Sequence, residues 1–474
     1  MVATDNPTSS RSGLRLALLA LAQFIIAIDY NNVYVALPEI GSALGFSDQS
    51  LQWVVSAYAV AFGGLLLLGG RAADRLGARR MFIGALLVFG ISSLVGGLAT
   101  EQAVLVAARA VQGIGGALLF PAVLTLIVTR FPEGKERNRA LSVWGSTGSG
   151  GLAAGALLGG VITHGMGWEW VFFIVVPVTV IAAIVAPKLI APDAAVRTGG
   201  GFDLPGALVA TVGVSLVVFG LVSGPEVGWG SIRAWGAILL GVVLVIAFFV
   251  IERTTKDPLA PVTLFRNRSL VTAMAVAFLH HAALSSGYFI FTIYMQNTLQ
   301  YNALEAGLAF LPLGVFAMIA GGKVASTVLT KFGVGAGLAV GMIIYAVGLG
   351  ALVAGMSTGG SYWAVLPGVV LYGFGGGLAF TAIFVAASSG VDASQQGVAS
   401  ALGSTALQIG AAVGLAIILV IANAGSSFLD GLKVAGYVAA AGALLGGLLA
   451  LTLKKPAPTP VAETPPVATP EAAV

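Results

Sequence analysis

Apolar residues run along this chain in long unbroken stretches, separated by short segments in which glycine, proline and charge collect. Stretches such as Gly63 to Gly70 and Leu239 to Val250 do not alternate. They do not fit a membrane barrel, whose strands alternate over about ten residues. Apolar runs of about 20 residues are long enough to cross a hydrocarbon core about 30 Å thick as helices. Within lipid the backbone must satisfy its own polar groups, and a helix does so inside each segment. The pattern predicts fourteen spans, at 14–38, 51–70, 81–99, 103–128, 140–163, 170–187, 205–223, 232–251, 269–296, 304–322, 334–356, 362–387, 397–422 and 433–453. The fold class is thus expected to be an all-α membrane protein with fourteen transmembrane helices. The first run starts near Leu14, passes Asp29 and ends near Pro38 without a small-residue cleavage site. It reads as a membrane helix, not a removable signal.

Composition agrees: 58% of the residues are hydrophobic and 9% charged, against about 25% charged in soluble domains. The chain has no cysteine, so disulfides and thiolate metal sites are ruled out. With the N-terminus inside, all but three of the 23 Lys and Arg residues fall in segments on the cytoplasmic side. Only Arg233 and Lys433 lie outside, and Arg109 falls within a span. This bias predicts cytoplasmic N- and C-termini in a multi-pass inner or plasma membrane protein. It also makes the net charge of +4 a matter of membrane orientation, with no nucleic-acid partner implied. Six of the seven tryptophans, Trp53, Trp168, Trp170, Trp229, Trp235 and Trp363, fall near outer helix ends, where indole anchors at the interface. The Pro-, Ala- and Thr-rich tail Pro456 to Val474 is expected to be disordered.

The fifth span opens with Ser142-Val143-Trp144-Gly145-Ser146-Thr147 and the thirteenth with Ser400-Ala401-Leu402-Gly403-Ser404-Thr405. These spans are equivalent if two six-helix halves flank an inserted pair. The loop from Gly70 to Arg80 has a degenerate counterpart around Gly322 to Gly333. The expected organisation is a cytoplasmic tail (1–13), a six-helix bundle (14–187), an inserted helix pair (205–251), a second six-helix bundle (269–453) and a cytoplasmic tail (454–474). Duplicated halves place a substrate path at their interface near the midplane.

Few side chains inside the spans carry chemistry. Asp29 lies roughly 13 Å from the outer end of its helix, where a charged carboxylate is costly and marks a functional candidate. It is expected to take up and release a proton, with permanent pairing to a cation as the structural alternative. Arg109 lies about six residues into span four, at a depth of roughly 9 Å, so the two can meet. A structural role for Arg109 between helices weighs about as much as one in proton coupling. His280 and His281 stand near the middle of span nine; imidazole suits a proton relay, while interhelical hydrogen bonding is the plainer reading. Glu305, three residues after Asn302, reads as part of a helix cap, and Glu39 as solvated. Gly151, Gly155 and Gly159 recur every four residues in span five and form a smooth stripe for close helix approach. Tyr30, Asn31, Asn32 and Tyr34 surround Asp29 with aromatic and amide groups suited to flat organic molecules or cations, or simply to packing between helices. No third ligand accompanies the histidines, so no metal is expected.

Together these features resemble the major facilitator superfamily, in particular its fourteen-helix drug:proton antiporters, over about residues 14 to 453. Gly70-Arg71-Ala72-Ala73-Asp74-Arg75-Leu76-Gly77-Ala78-Arg79-Arg80 resembles the superfamily's signature between helices two and three. The resemblance implies that Asp74 and the neighbouring arginines control conformational switching through charge and helix-dipole contacts. Gly70, Asp74, Arg75, Gly77, Arg79 and Arg80, with Gly151, Gly155 and Gly159, are therefore candidate switch residues. Arg109-Ala110-Val111-Gln112-Gly113 resembles the helix-four motif whose arginine is implicated in proton coupling. Asp29 followed by Val35-Ala36-Leu37-Pro38 resembles the helix-one signature. The helix-five antiporter motif departs from its usual form, with Ala156 following Gly155 where proline is common, though Gly159 and Gly160 remain.

The resemblance implies a secondary transporter that exports small organic or amphipathic molecules, such as drugs and antibiotics, in exchange for protons by alternating access. Asp29, Arg109 and His280 are then the proton-coupling candidates. Tyr30, Asn31, Tyr34, Gln112 and His281 would border the substrate path. The expected partners are an amphipathic or cationic small molecule, protons and the lipid bilayer, with a monomer as the working unit and no cofactor. An endogenous metabolite or lipid as cargo keeps the same fold. A membrane-embedded enzyme would need a clustered acid/base or metal constellation, which the sequence does not offer. A sensor would tolerate a neutral residue at position 29. The absence of a Gly-x-x-x-x-Gly-Lys-Ser/Thr sequence argues against ATP coupling.

Overall fold

A computed structural model describes residues 7–453 apart from 52, 194–203, 229, 256–257, 259, 302 and 424–426. Trp229, Asn302 and the tail from Pro456 therefore lie outside the described residues, as does the side chain of Tyr30. The described chain is helical throughout. Helix α1 covers Pro7–Leu44, α2 Trp53–Leu76, α3 Ala78–Gly97, α4 Gln102–Arg130 and α5 Lys135–Met166. Helix α6 comprises Trp170–Phe173 and Val175–Leu189; α7 covers Leu204–Val227 and α8 Ile232–Thr254. Helix α9 is Arg268–Ile293 and ends in a π turn at Tyr294–Thr298. Helix α10 is a broken rod made of Ala303–Ala309, Leu311–Ile319, a π turn at Ala320–Val324 and Ala325–Phe332. Helix α11 spans Val334–Ala354, α12 Tyr362–Ser388, α13 Gln396–Asn423 and α14 Phe428–Ala450.

Among the described residues, twelve helices are long and apolar enough to cross a membrane. The other two rods, α5 and α7, contribute shorter apolar stretches at Leu157–Met166 and Leu208–Leu221.

The signature segment after span two is not a loop. Helix α2 runs on through Gly70 to Leu76, and the whole turn is the single residue Gly77 at φ 97°. Alanine and arginine are good helix formers, so the polar stretch extends the helix until glycine takes the left-handed conformation. The counterpart behaves alike: α10 continues past Gly322 to Phe332 and turns at Gly333, φ 89°. Helix α10 differs in being kinked at Gly322 (φ −87°, ψ −106°), where it crosses Ser146 of α5.

The packing partners within α1–α6 are repeated within α9–α14. Helix α1 packs on α5 and α6, α2 on α4, and α3 on α4 and α6. Correspondingly, α9 packs on α13 and α14, α10 on α12, and α11 on α12 and α14. Contacts between the two sets come in matching pairs, α2 with α13 and α5 with α10, then α4 with α13 and α5 with α12. Helices α7 and α8 pack on each other, and α7 also lies against α2 and α13.

Candidate functional site

The glycine stripe of α5 faces α1. A Cβ on Gly151 would sit 2.7 Å from the Ala27 side chain, one on Gly155 2.7 Å from the Ile28 carbonyl, and one on Gly159 2.8 Å from the Asn32 backbone. The backbone of α1 therefore rests directly on α5 over the turns that contain Asp29. Asn32 ties the same segment to α6 by donating to the Val171 carbonyl at 3.0 Å.

Asp29 is 0% exposed and Arg109 1% exposed. Arg109 Nη1 lies 2.7 Å from Asp29 Oδ2 in a fully buried ion pair. The two sequence-derived depths thus bring the residues together. Gln112 closes the arrangement. It accepts from Arg109 Nη1 at 2.6 Å and donates from Nε2 to Asp29 Oδ1 at 2.8 Å. Its Nε2 also approaches Ser93 Oγ at 3.3 Å, and that hydroxyl donates to the Phe172 carbonyl. Arg109 Nε donates to the Val54 carbonyl at 2.9 Å, and the guanidinium carbon stands 4.5 Å above the Tyr58 ring. Both carboxylate oxygens are hydrogen-bonded and the opposite charge is in contact, the conditions under which a buried pair is tolerated. Gln112, a candidate for the substrate path, sits inside this network as a bridge. Ser93 and Tyr58 carried no signal in the sequence, because a serine or tyrosine in an apolar run reads as ordinary core. On the same helix, Asn31 is half-buried and Tyr34 is 44% exposed.

His280 and His281 lie on α9, against α11 and α12. His280 is buried, its Nε2 3.1 Å from the Gly376 carbonyl and its Nδ1 3.1 Å from His281 Nδ1. Its ring stacks on Tyr345 at 4.8 Å, and Tyr345 in turn on Tyr372 at 4.6 Å. The pair is separate from the Asp29 network. Glu305 and Glu39 are both exposed.

The switch candidates gather at the turn around Gly77. Asp74 accepts from the backbone N–H groups of Gly397 (2.9 Å) and Val398 (3.0 Å), at the start of α13. A carboxylate meets the positive end of a helix dipole there. A Cβ on Gly70 would collide with the Gly397 carbonyl and with Ala401, so the absence of a side chain lets α2 and α13 touch. Arg75 is half-buried on α2. A second carboxylate, unforeseen from the sequence, acts within the first set of helices. Asp193 accepts from the N–H groups of Arg79 (3.0 Å) and Arg80 (3.2 Å) at the start of α3. Arg79 also donates from its guanidinium to the Pro187 carbonyl. Among the described residues no group of acidic residues and histidines could hold a metal ion.

The sequence profile of the Major Facilitator Superfamily matches residues 19–415. The chain is 37% identical to the cephamycin export protein CmcT of Amycolatopsis lactamdurans, over 88% of this chain and 87% of that protein. It is 36% identical to the puromycin resistance protein pur8 of Streptomyces alboniger, over 85% of this chain and 80% of that one. The tetracenomycin C resistance and export protein of Streptomyces glaucescens is 34% identical over 88% and 79% of the two chains. In fold the chain is similar to the crystal structure of the human organic anion transporter MFSD10 (TETRAN), with a TM-score of 0.66 and 15% identity, covering 93% of this chain and 98% of that one. With its apolar helices and this extended match, the chain is a multi-pass membrane protein that belongs to the major facilitator superfamily.

Proposed function

We propose that this protein exports small organic molecules of antibiotic type across the cell membrane in exchange for protons, by alternating access. The observation that carries the reading is the buried Asp29–Arg109–Gln112 network, taken together with relatives that are named for antibiotic export and resistance. Asp29 carries the proton. In the conformation described, its two oxygens are occupied by Arg109 and Gln112. Loading a proton neutralises the carboxylate and releases the guanidinium, which then holds only neutral acceptors. Proton and cargo can drive the cycle only through different affinities for the two access states. The Asp29 network, placed where α1, α2, α3 and α4 meet, supplies such a difference.

Asp74 sets the balance between those states. Its two hydrogen bonds tie the end of α2 to the start of α13 and hold that side shut; access from that side requires breaking them. The Gly77 turn and its clasp through Arg79, Arg80 and Asp193 keep α2, α3 and the end of α6 moving as one piece. His280 is assigned a secondary place in proton coupling, and Tyr30, Asn31, Tyr34 and His281 border the path of an amphipathic or cationic cargo. All fourteen rods cross the membrane, as two six-helix bundles, 14–187 and 269–453, with 205–251 inserted between them. The repeated packing pairs support this division. The distribution of Lys and Arg puts both termini in the cytoplasm, and the working unit is a monomer.

The test is ethidium transport in proteoliposomes under an imposed pH gradient, comparing wild type with Asp29→Asn. Gradient-driven transport is expected in wild type and absent in the variant. Equal transport by both would remove Asp29 from the coupling step.

A further inference from the structure

Between the first and last six helices the aromatic side chains form a continuous row. Tyr58 stacks on Phe62 at 5.7 Å, Phe62 meets Phe120 edge-on at 6.1 Å, and Phe120 meets Trp144 at 5.4 Å. Trp144 then lies nearly parallel to Phe380, with centroids 5.6 Å apart and planes at 12°. The His281 ring stands 6.0 Å from Phe380. Trp144 belongs to α5, Phe380 to α12 and His281 to α9, so this end of the row straddles the two sets of helices. Trp144 is 0% exposed, but Phe380 and His281 are only half-buried.

Hydrogen-bond accounting assigns the tautomers of the histidine pair. His280 Nε2 faces the Gly376 carbonyl, which can only accept, so Nε2 carries the hydrogen. The Nδ1 of neutral His280 is then an acceptor. The 3.1 Å contact with His281 Nδ1 is a hydrogen bond only if His281 supplies Nδ1–H. That choice leaves Nε2 of neutral His281 as a bare acceptor with no partner among the described residues. Beside Phe380, the buried Trp144 Nε1–H has no acceptor among the described residues, a costly state for an indole donor. Of the seven tryptophans, Trp144 is the one that the sequence did not place at an outer helix end.

We propose that His281, Phe380 and Trp144 form the recognition site for the aromatic part of the cargo. A flat ring stacks on Phe380, a cargo N–H or O–H donates to His281 Nε2, and Trp144 Nε1–H offers a donor to a cargo acceptor. The chemical class is a planar aromatic that carries hydrogen-bond donors, with ammonium or aryl amine as the simplest forms. The inference rests on the export reading. Because Trp144 and Phe380 come from different sets of helices, parting those sets exposes the stacked faces, and a cargo ring takes up the contact that is lost.

The test uses the full-length chain in lipid nanodiscs, with histidine labelled by nitrogen-15 and ethidium as the probe. The chain has three histidines, and His164→Gln leaves only the pair. The expected spectrum has His281 in the Nδ1–H form, with an unprotonated Nε2 resonance that moves when ethidium is added. An Nε2–H form at His281, no ethidium binding, or an Nε2 signal unmoved by bound ethidium overturns the proposal. In proteoliposomes, His281→Phe is expected to lower the export of ethidium relative to tetraphenylphosphonium, which has no N–H or O–H, by about tenfold, the weight of one hydrogen bond. An equal loss for both cations reduces His281 to a packing residue. A wild type that binds ethidium with the Nε2 shift but exports neither cation sinks the export reading and leaves the recognition site standing. Export with an unmoved signal does the reverse.

Discussion

Arg109 holds its place through three kinds of contact at once: an ion pair to Asp29, a hydrogen bond to the Val54 carbonyl and the face of Tyr58. Each draws on a different property of guanidinium, namely charge, donor geometry and a flat surface that stacks. Removing it by Arg109→Gln leaves a carboxylate buried with only an amide partner. Breaking a buried pair from one side costs about 3–5 kcal/mol. Neutralising both partners removes the uncompensated charge. The double variant Asp29→Asn/Arg109→Gln is therefore expected to regain much of the stability that Arg109→Gln loses, while transporting nothing against a gradient. Thermal unfolding in detergent, followed by tryptophan fluorescence, checks the first half. If the double variant melts as low as the single one, Arg109 matters for its packing and not its charge. The meeting of Asp29 and Arg109 was legible in the sequence because depth along a helix follows from residue count alone. The bridging place of Gln112, and those of Ser93 and Tyr58, were not, since they depend on how neighbouring helices are rotated against each other.

Helix α5 shows how an element without much hydrophobic character earns its position. Its glycines let the backbone of α1 come within contact distance, and α1 carries Asp29 at that level. Gly155→Leu would drive a side chain into the Ile28 carbonyl and the Asn31 side chain, which lie 2.7 and 3.1 Å from the new Cβ. Overpacking of this kind costs about 1–3 kcal/mol, and here the displaced backbone also carries the carboxylate away from Arg109. Gradient-driven transport is expected to fall steeply in Gly155→Leu. Gly165→Leu on the same helix, where a Cβ meets nothing within 4 Å, serves as the control. Comparable losses in both would mean that α5 tolerates no bulk anywhere and that the stripe has no special place. The stripe itself could be read from a spacing of four residues. Its partner could not, because a smooth helix face does not say which neighbour lies on it. Hydropathy alone also understates the extent of α2 and α10. Polar ends such as Arg71 to Leu76 stay helical without being apolar, and only the left-handed glycines at 77 and 333 stop them.

At the scale of the whole molecule, topology and switching are linked, because a lock between α2 and α13 has meaning only if both ends lie on one side. Chain order and the fourteen-span reading put Glu133 and Pro192 inside, and Glu169 and Gly230 outside. The chain has no native cysteine, so single cysteines at these four positions report sidedness directly to an impermeant maleimide. Glu133 and Glu169 labelling from the same side would show that α5 does not cross, and Pro192 and Gly230 doing so would show the same for α7. With the sides known, the lock can be weighed. Asp74→Asn keeps the size of the side chain but removes the charge that two N–H groups and a helix dipole address. Hydrogen bonds to a charged group contribute about 1.5–3 kcal/mol, so losing even part of this moves a near-balanced equilibrium by tenfold or more toward the state open on that side. Spin labels on cysteines introduced at Leu76 and Ser394, both exposed and flanking the contact, read the separation of α2 from α13. The expected result is a short distance in wild type and a second, longer population in Asp74→Asn. An unchanged distribution would mean that the close approach of Gly70 to Gly397 and Ala401 holds this side shut without the carboxylate, and would move control of the switch from charge to packing.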